Sequence, residues 1–154
     1  MQGIERAKSN RLRTGRCSGP QQVYLITTTT YSRLPIFRDC NIARLLVNEL
    51  KTAQDDGWVL SLAWVVMPDH LHWLAQLQSC SLDELLRRVK GRSARLINIH
   101  RSDSGPVWQA GYHDRTIRQE EDLQAMARYI VANPLRAGLV KQVGDYPLWD
   151  AMWL

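Results

Sequence analysis

A chain of 154 residues has room for one compact domain with a real core and is too short for two of ordinary size. Its apolar share of 45% and charged share of 23% exclude a disordered or fibrous polymer, and the formal charge of +5 favours a polyanionic partner without defining a site for one. The chain contains no run of apolar residues long enough for a membrane-spanning helix.

Residues 1–20 carry Arg6, Lys8, Arg11, Arg13 and Arg16 against Glu5, among Ser, Gly, Asn and Pro that give little to bury. They read as a basic flexible arm, suited to ordering on a phosphate backbone and equally to staying solvated. Lacking an apolar run, the arm is not expected to act as a signal peptide. Cys17, Cys40 and Cys80 are far apart and form no CxxC pair, so neither a disulfide framework nor a thiolate zinc site is expected. A reducing cytoplasm is the default compartment.

Val23 to Tyr31 is a β-branched and aromatic run that predicts a first strand. From Asp39 to Asp55, Ile42, Leu45, Leu46 and Leu50 recur at helical spacing, with Asp39 as N-cap and Gly57 beyond the end. Val59 to Val66 and His70 to Leu77 read as two strands broken at Pro68-Asp69. Ser81-Leu82-Asp83-Glu84 opens a second helix as a capping box, and Gly91 in its middle marks a kink or a close approach. Val107 to Ile117 is expected to be the fourth strand, after a turn at Ser104-Gly105-Pro106. A last helix is expected from Gln119 to Asn133, where Pro134 disfavours continuation. The order β-α-β-β-α-β-α predicts an α+β, ferredoxin-like split βαβ fold, an antiparallel sheet with helices on one face plus a C-terminal helix. The domain spans 21–140, and residues 141–154, ending Trp149-Asp150-Ala151-Met152-Trp153-Leu154, are too apolar for a free tail and are expected to dock on it.

Side chains alternate faces along a strand, so His70 and His72 point the same way and Leu71 the other. Two neutral imidazoles so placed can grip one divalent ion. The same spacing also fits two histidines on a half-exposed sheet face. On the last helix, Leu123, Ala127, Ile130 and Pro134 form the apolar stripe, with Tyr129 on its flank and Asn133 one turn further on the same flank. A phenol beside a metal is a nucleophile for phosphorus. Taken singly, Tyr129 is also an amphipathic residue with its hydroxyl in water, and Asn133 a cap for the turn at Pro134.

With these residues in place, the chain resembles the IS200-like single-tyrosine HUH transposases and, within them, the REP-associated tyrosine transposases. The resemblance runs nearly end to end, through Ile26 to Tyr31, Met67 to His72, Val89 to Arg92, Val107 to Asp114, Tyr129 to Val140 and Tyr146 to Asp150. It implies that the HUH motif falls on His70, Leu71 and His72, the nucleophile on Tyr129 and a third metal ligand on Asn133, with Mg²⁺ or Mn²⁺ as cofactor. It further implies cleavage of single-stranded DNA near palindromic repeat hairpins, leaving a 5′-phosphotyrosine and a free 3′-hydroxyl.

On this reading Arg87, Arg88, Lys90, Arg92 and Arg95 on the second helix form a phosphate track, with Arg115 and Arg118 within reach of the same groove and Arg11 and Arg13 contributing from the arm. Tyr24, Tyr31 and Trp73 are candidates for base stacking and equally for the core, and His113 with Asp114 is a polar pair on an edge strand. The expected setting is the cytoplasm, in association with the nucleoid, as a monomer or homodimer. The alternative is a non-catalytic hairpin DNA- or RNA-binding module of ferredoxin-like fold. A zinc hydrolase ranks third, for want of a further histidine or acidic ligand at a motif spacing.

Overall fold

A computed structural model describes residues 21–118 and 121–153, and the basic arm with Arg11 and Arg13 lies outside the described residues. Strands β1 (Val23–Thr29), β2 (Val59–Met67), β3 (His70–Leu77), β4 (His113–Ile117) and β5 (Trp149–Ala151) form one antiparallel sheet in the order β4-β1-β3-β2-β5. Helix α1 (Cys40–Asp55) crosses from β1 to β2, and α2 (Leu82–Arg101) from β3 to β4. The order and sense of the first four strands are those of a split βαβ arrangement, which puts β3, and with it His70 and His72, at the centre of the sheet.

Local chemistry accounts for both helix starts. The Asp39 side chain accepts from the Asn41 amide, and Ser81 and Glu84 satisfy each other's backbone donors in a full capping box. Each helix then buries one stripe: Ile42, Leu46 and Leu50 from α1, Leu82, Leu85, Leu86, Val89 and Ile97 from α2. They lie on the sheet face that carries Tyr24, Ile26, Leu71 and Trp73. A second core forms on the opposite face, where Ala63, Val65, Leu74 and Ile117 meet Ala127, Ile130 and Val131 of helix α3 (Leu123–Val131). Strand β2 is therefore sandwiched, and Leu62 to Met67 are all buried.

Two elements differ from the sequence expectation. The strand expected over Val107 to Ile117 pairs only from His113, because Trp108 turns into α2, where its Nε1 donates to Ser93 Oγ at 3.0 Å, and Gly111 breaks the extended path at φ 76°. Thr30 and Trp108 keep an isolated bridge. The last helix starts later, capped by Asp122 on the Ala125 amide, and stops at Val131. Pro134 cannot donate to the Ile130 carbonyl, and the Asn133 side chain takes that acceptor at 3.0 Å while the chain restarts as the single turn α4 (Asn133–Arg136). Gly91 marks no kink: α2 runs on through it, and a Cβ there would meet nothing within 4 Å. Tyr24 and Trp73 are core residues, whereas Tyr31 is exposed.

β5 pairs with the free edge of β2. Just before it, Tyr146 Oη donates to the Val66 carbonyl at 2.6 Å, and Val66 N donates to Leu148 O at 2.9 Å.

Candidate active site

The histidines reach their positions through a two-residue reversal. Pro68 and Asp69 join β2 to β3 so that Met67 pairs with His70, and the turn is tied down because its two carbonyls accept from Phe37 N at 3.0 Å and Thr30 N at 2.9 Å. His70 and His72 then project from one face with ring centroids 4.7 Å apart and ring planes at 81°. Each ring is held by its Nδ1. Asp69 Oδ1 accepts from His70 Nδ1 at 2.6 Å, and Thr27 Oγ1 lies 2.9 Å from His72 Nδ1, directly across the ladder. With Nδ1 protonated on each ring, the Nε2 lone pair is the one left to a ligand.

The electrostatics keep these rings suited to binding a cation. Burial, then the charges of His70 and Arg136, lower the His72 pKa to about 4, so the ring is neutral at physiological pH. Burial works against the Asp69 carboxylate, but hydrogen bonds from His70 and from Arg33 Nε at 3.0 Å outweigh it and leave its pKa below the ordinary value. Two half-buried imidazoles, each anchored at Nδ1 with Nε2 left over, are the donor set expected of a divalent-metal site. Among the described residues no third His, Cys, Asp or Glu joins them.

Helix α3 lies across the same face. Ala127, Ile130 and Val131 anchor it, which leaves Tyr129 on its outer flank at 64% exposure. Arg136 closes the group: its guanidinium carbon stands 3.7 Å from the Tyr129 ring centre, its Nη2 donates to Asn133 Oδ1 at 2.8 Å, and its charge acts on His72. The structure thus gathers Tyr129 and Asn133 about one guanidinium whose charge also acts on His72.

The expected phosphate contacts on α2 do not share this face. Arg87, Arg88, Lys90, Arg92 and Arg95 sit on α2, behind the sheet as seen from His70 and His72. Arg88 pairs with Asp56 and stacks on Trp58 at 4.5 Å, and Arg92 Nε lies 2.9 Å from Glu49. Lys90 Nζ donates to the carbonyls of Gln109, at 3.0 Å, and Gly111. Burial lowers its pKa to about 8, which still leaves it charged at neutral pH. Arg115 alternates onto the histidine face opposite Leu25 and pairs with Glu121 at 3.0 Å, and Arg118 follows β4 and is exposed. His113 stands in the same cross-strand row as Thr27 and His72, whereas Asp114 belongs to the face covered by α1 and α2.

Sequence reasoning left Thr27, Asp69, Arg33 and Arg136 without roles. Thr27 was detectable only through register, since nothing in a run of four threonines distinguishes the one that opposes His72. Arg136, three residues after Asn133, carried a helical-spacing signal.

With the paired histidines and the exposed tyrosine described, the comparisons with known proteins give the class of this chain. The family model described as "Transposase IS200 like" matches residues 20–133, which take in the paired histidines, Tyr129 and Asn133. The chain belongs to the IS200-like transposase family. It is 30% identical over 87 residues to the REP-associated tyrosine transposase of Escherichia coli K12, covering 55% of this chain and 50% of that protein. A relative in Haemophilus influenzae is 30% identical over 99 residues, 56% of each chain. The chain therefore spans about half the length of the curated relatives it matches. The solved structure of a REP-associated tyrosine transposase bound to a REP hairpin superposes with a TM-score of 0.72 at 24% identity, over 87% of this chain and 79% of that one, and so shares the fold.

Proposed function

We propose that this protein cuts and rejoins single-stranded DNA beside palindromic repeat hairpins, with Tyr129 as the nucleophile and His70, His72 and the Asn133 carboxamide oxygen holding a divalent ion, Mg²⁺ or Mn²⁺. The observation that carries this reading is the pair of imidazoles, each anchored at Nδ1 by its own partner, on the face that α3 gives to an exposed tyrosine. A bound divalent ion would polarise a phosphate oxygen and offset the charge that builds on it.

The chain's own residues do the rest. Thr27 and Asp69 hold the rings in orientation and tautomer. Tyr129 Oη forms a bond to phosphorus as the P–O3′ bond breaks, its proton passing to water and the 3′ oxygen leaving as a hydroxyl. One phosphodiester replaces another, so the 5′-phosphotyrosine retains the bond energy needed to rejoin a strand. Arg115 serves the strand on the histidine face, with Arg118 exposed just beyond the end of β4, while Arg87, Lys90, Arg92 and Arg95 serve a duplex stem on the α2 side. Arg11 and Arg13 add contacts from the arm. A hairpin with a single-stranded flank has two parts to match those two surfaces.

The test is incubation with hairpin oligonucleotides taken from DNA flanking the gene, with Mn²⁺, Mg²⁺ or chelator. Denaturing gels should show protein attached to the 5′ end of one fragment, and Tyr129→Phe should abolish attachment and cutting while hairpin binding persists. Cleavage that survives Tyr129→Phe contradicts the reading.

A further inference from the structure

Among the described residues Arg136 stacks on Tyr129 and donates to Asn133, and its charge acts on His72. It is exposed, on a single turn at the edge of the site. A guanidinium has five N–H donors, and its hydrogen bond to Asn133 uses one of them. An isolated surface stack of this kind contributes little to stability, about 0.5–1 kcal/mol, so the fold gives weak reason for an arginine here. The chemistry gives a strong one, because phosphoryl transfer gathers negative charge on the non-bridging oxygens, and the planar fork of arginine matches two of them at once.

We propose that Arg136 is a further catalytic residue: an arginine, parked on Tyr129 and Asn133 in the DNA-free protein, that turns onto the non-bridging oxygens of the phosphate Tyr129 attacks. This inference rests on the function proposed above. Its stacking on the Tyr129 ring keeps the charge beside the nucleophile. Its departure frees Asn133 Oδ1, which can then serve as a ligand. Arg136 stays protonated throughout: the Tyr129 Oη–P bond forms, the P–O3′ bond breaks, water takes the phenolic proton and supplies one to the 3′ oxygen, and nothing is oxidised or reduced.

The experiment compares two hairpin oligonucleotides after the cut has been mapped, one natural and one with a neutral methylphosphonate at the scissile position. The rate of covalent attachment is measured for the wild type, Arg136→Ala, Arg136→Lys and Tyr129→Phe. On the natural phosphate Arg136→Ala should be slower by about 10²–10³-fold, Arg136→Lys should fall between, and added guanidinium ion should restore part of the loss. On the methylphosphonate the wild type and Arg136→Ala should react alike, since the charge that Arg136 answers is gone. An equal loss on both substrates, with no rescue by guanidinium, makes Arg136 a structural residue and overturns the proposal. Tyr129-dependent attachment that is indifferent to Arg136→Ala on the natural phosphate also overturns it while leaving the function intact. Attachment by Tyr129→Phe overturns the function and the role of Arg136 together.

Discussion

The two histidines are identical in type and different in circumstance. His70 takes its partner from the residue beside it, whereas His72 takes Thr27 from another strand 45 positions away. If these partners set ring orientation and tautomer, Thr27→Val and Asp69→Ala should each weaken Mn²⁺ binding by about 10–100-fold, read by electron paramagnetic resonance, with little change in melting temperature. Unchanged affinity would reduce both interactions to packing. His72 also predicts a pH dependence in metal-free protein. Its folded pKa, about 4, lies below the ordinary 6.5, so between those values the unfolded chain binds more protons than the folded one. Stability is therefore fully present above pH 6.5 and is lost as the pH falls towards 4, by on the order of 2 kcal/mol. Thermal melts in chelator should follow that window, and His72→Gln should flatten this part of the curve. A wild-type melting temperature constant from pH 7 to 4.5 would contradict the burial of His72 as an uncharged ring.

At the scale of elements, α1, β2, β3 and the start of α2 were legible because their signals are local: an aspartate cap, a capping box, a two-residue reversal and steady periodicity. The turn of Trp108 into α2 was not, because long-range packing against Ser93 decided it over residue preference, whereas Pro134 marked the end of α3 to within two residues. β5 has only three residues, and its strand character comes from the open edge of β2. Of the site, the residue types and their faces were readable, while Thr27 and the clustering about Arg136 depended on register and on the restart of the chain as α4, which no local pattern encodes. The unbroken apolar run Leu62 to Met67 was the unread signal that α3 covers the second face. Gly91 offers a test at this scale. It is exposed in mid-helix with open space at the Cβ position, so Gly91→Ala should stabilise the protein by about 1 kcal/mol and raise the melting temperature by about 2–4 °C. A fall instead would show that α2 needs the freedom of glycine.

For the molecule as a whole, the sheet separates two surfaces, with the paired histidines and α3 on one and a basic helix on the other. Residues 1–18 carry Arg6, Lys8, Arg11, Arg13 and Arg16 as further cations. Removing residues 1–18 should leave the fold intact and flatten the plot of log K against log salt for hairpin binding by about 0.7–0.9 for each phosphate that the arm neutralises. If Arg11 and Arg13 read base edges, the truncation should also erase preference for the correct hairpin over a scrambled one. An unchanged slope and preference would make the arm a solvated tail. The central claim, that a tyrosine beside two anchored histidines attacks DNA, is met most directly by digesting the protein after reaction with a hairpin and locating the attached nucleotide by mass spectrometry. A 5′-phosphoryl nucleotide should appear on the peptide that carries Tyr129, formed only with divalent metal and lost in His70→Ala. Attachment at another residue, or at Tyr129 in the presence of chelator, would contradict it.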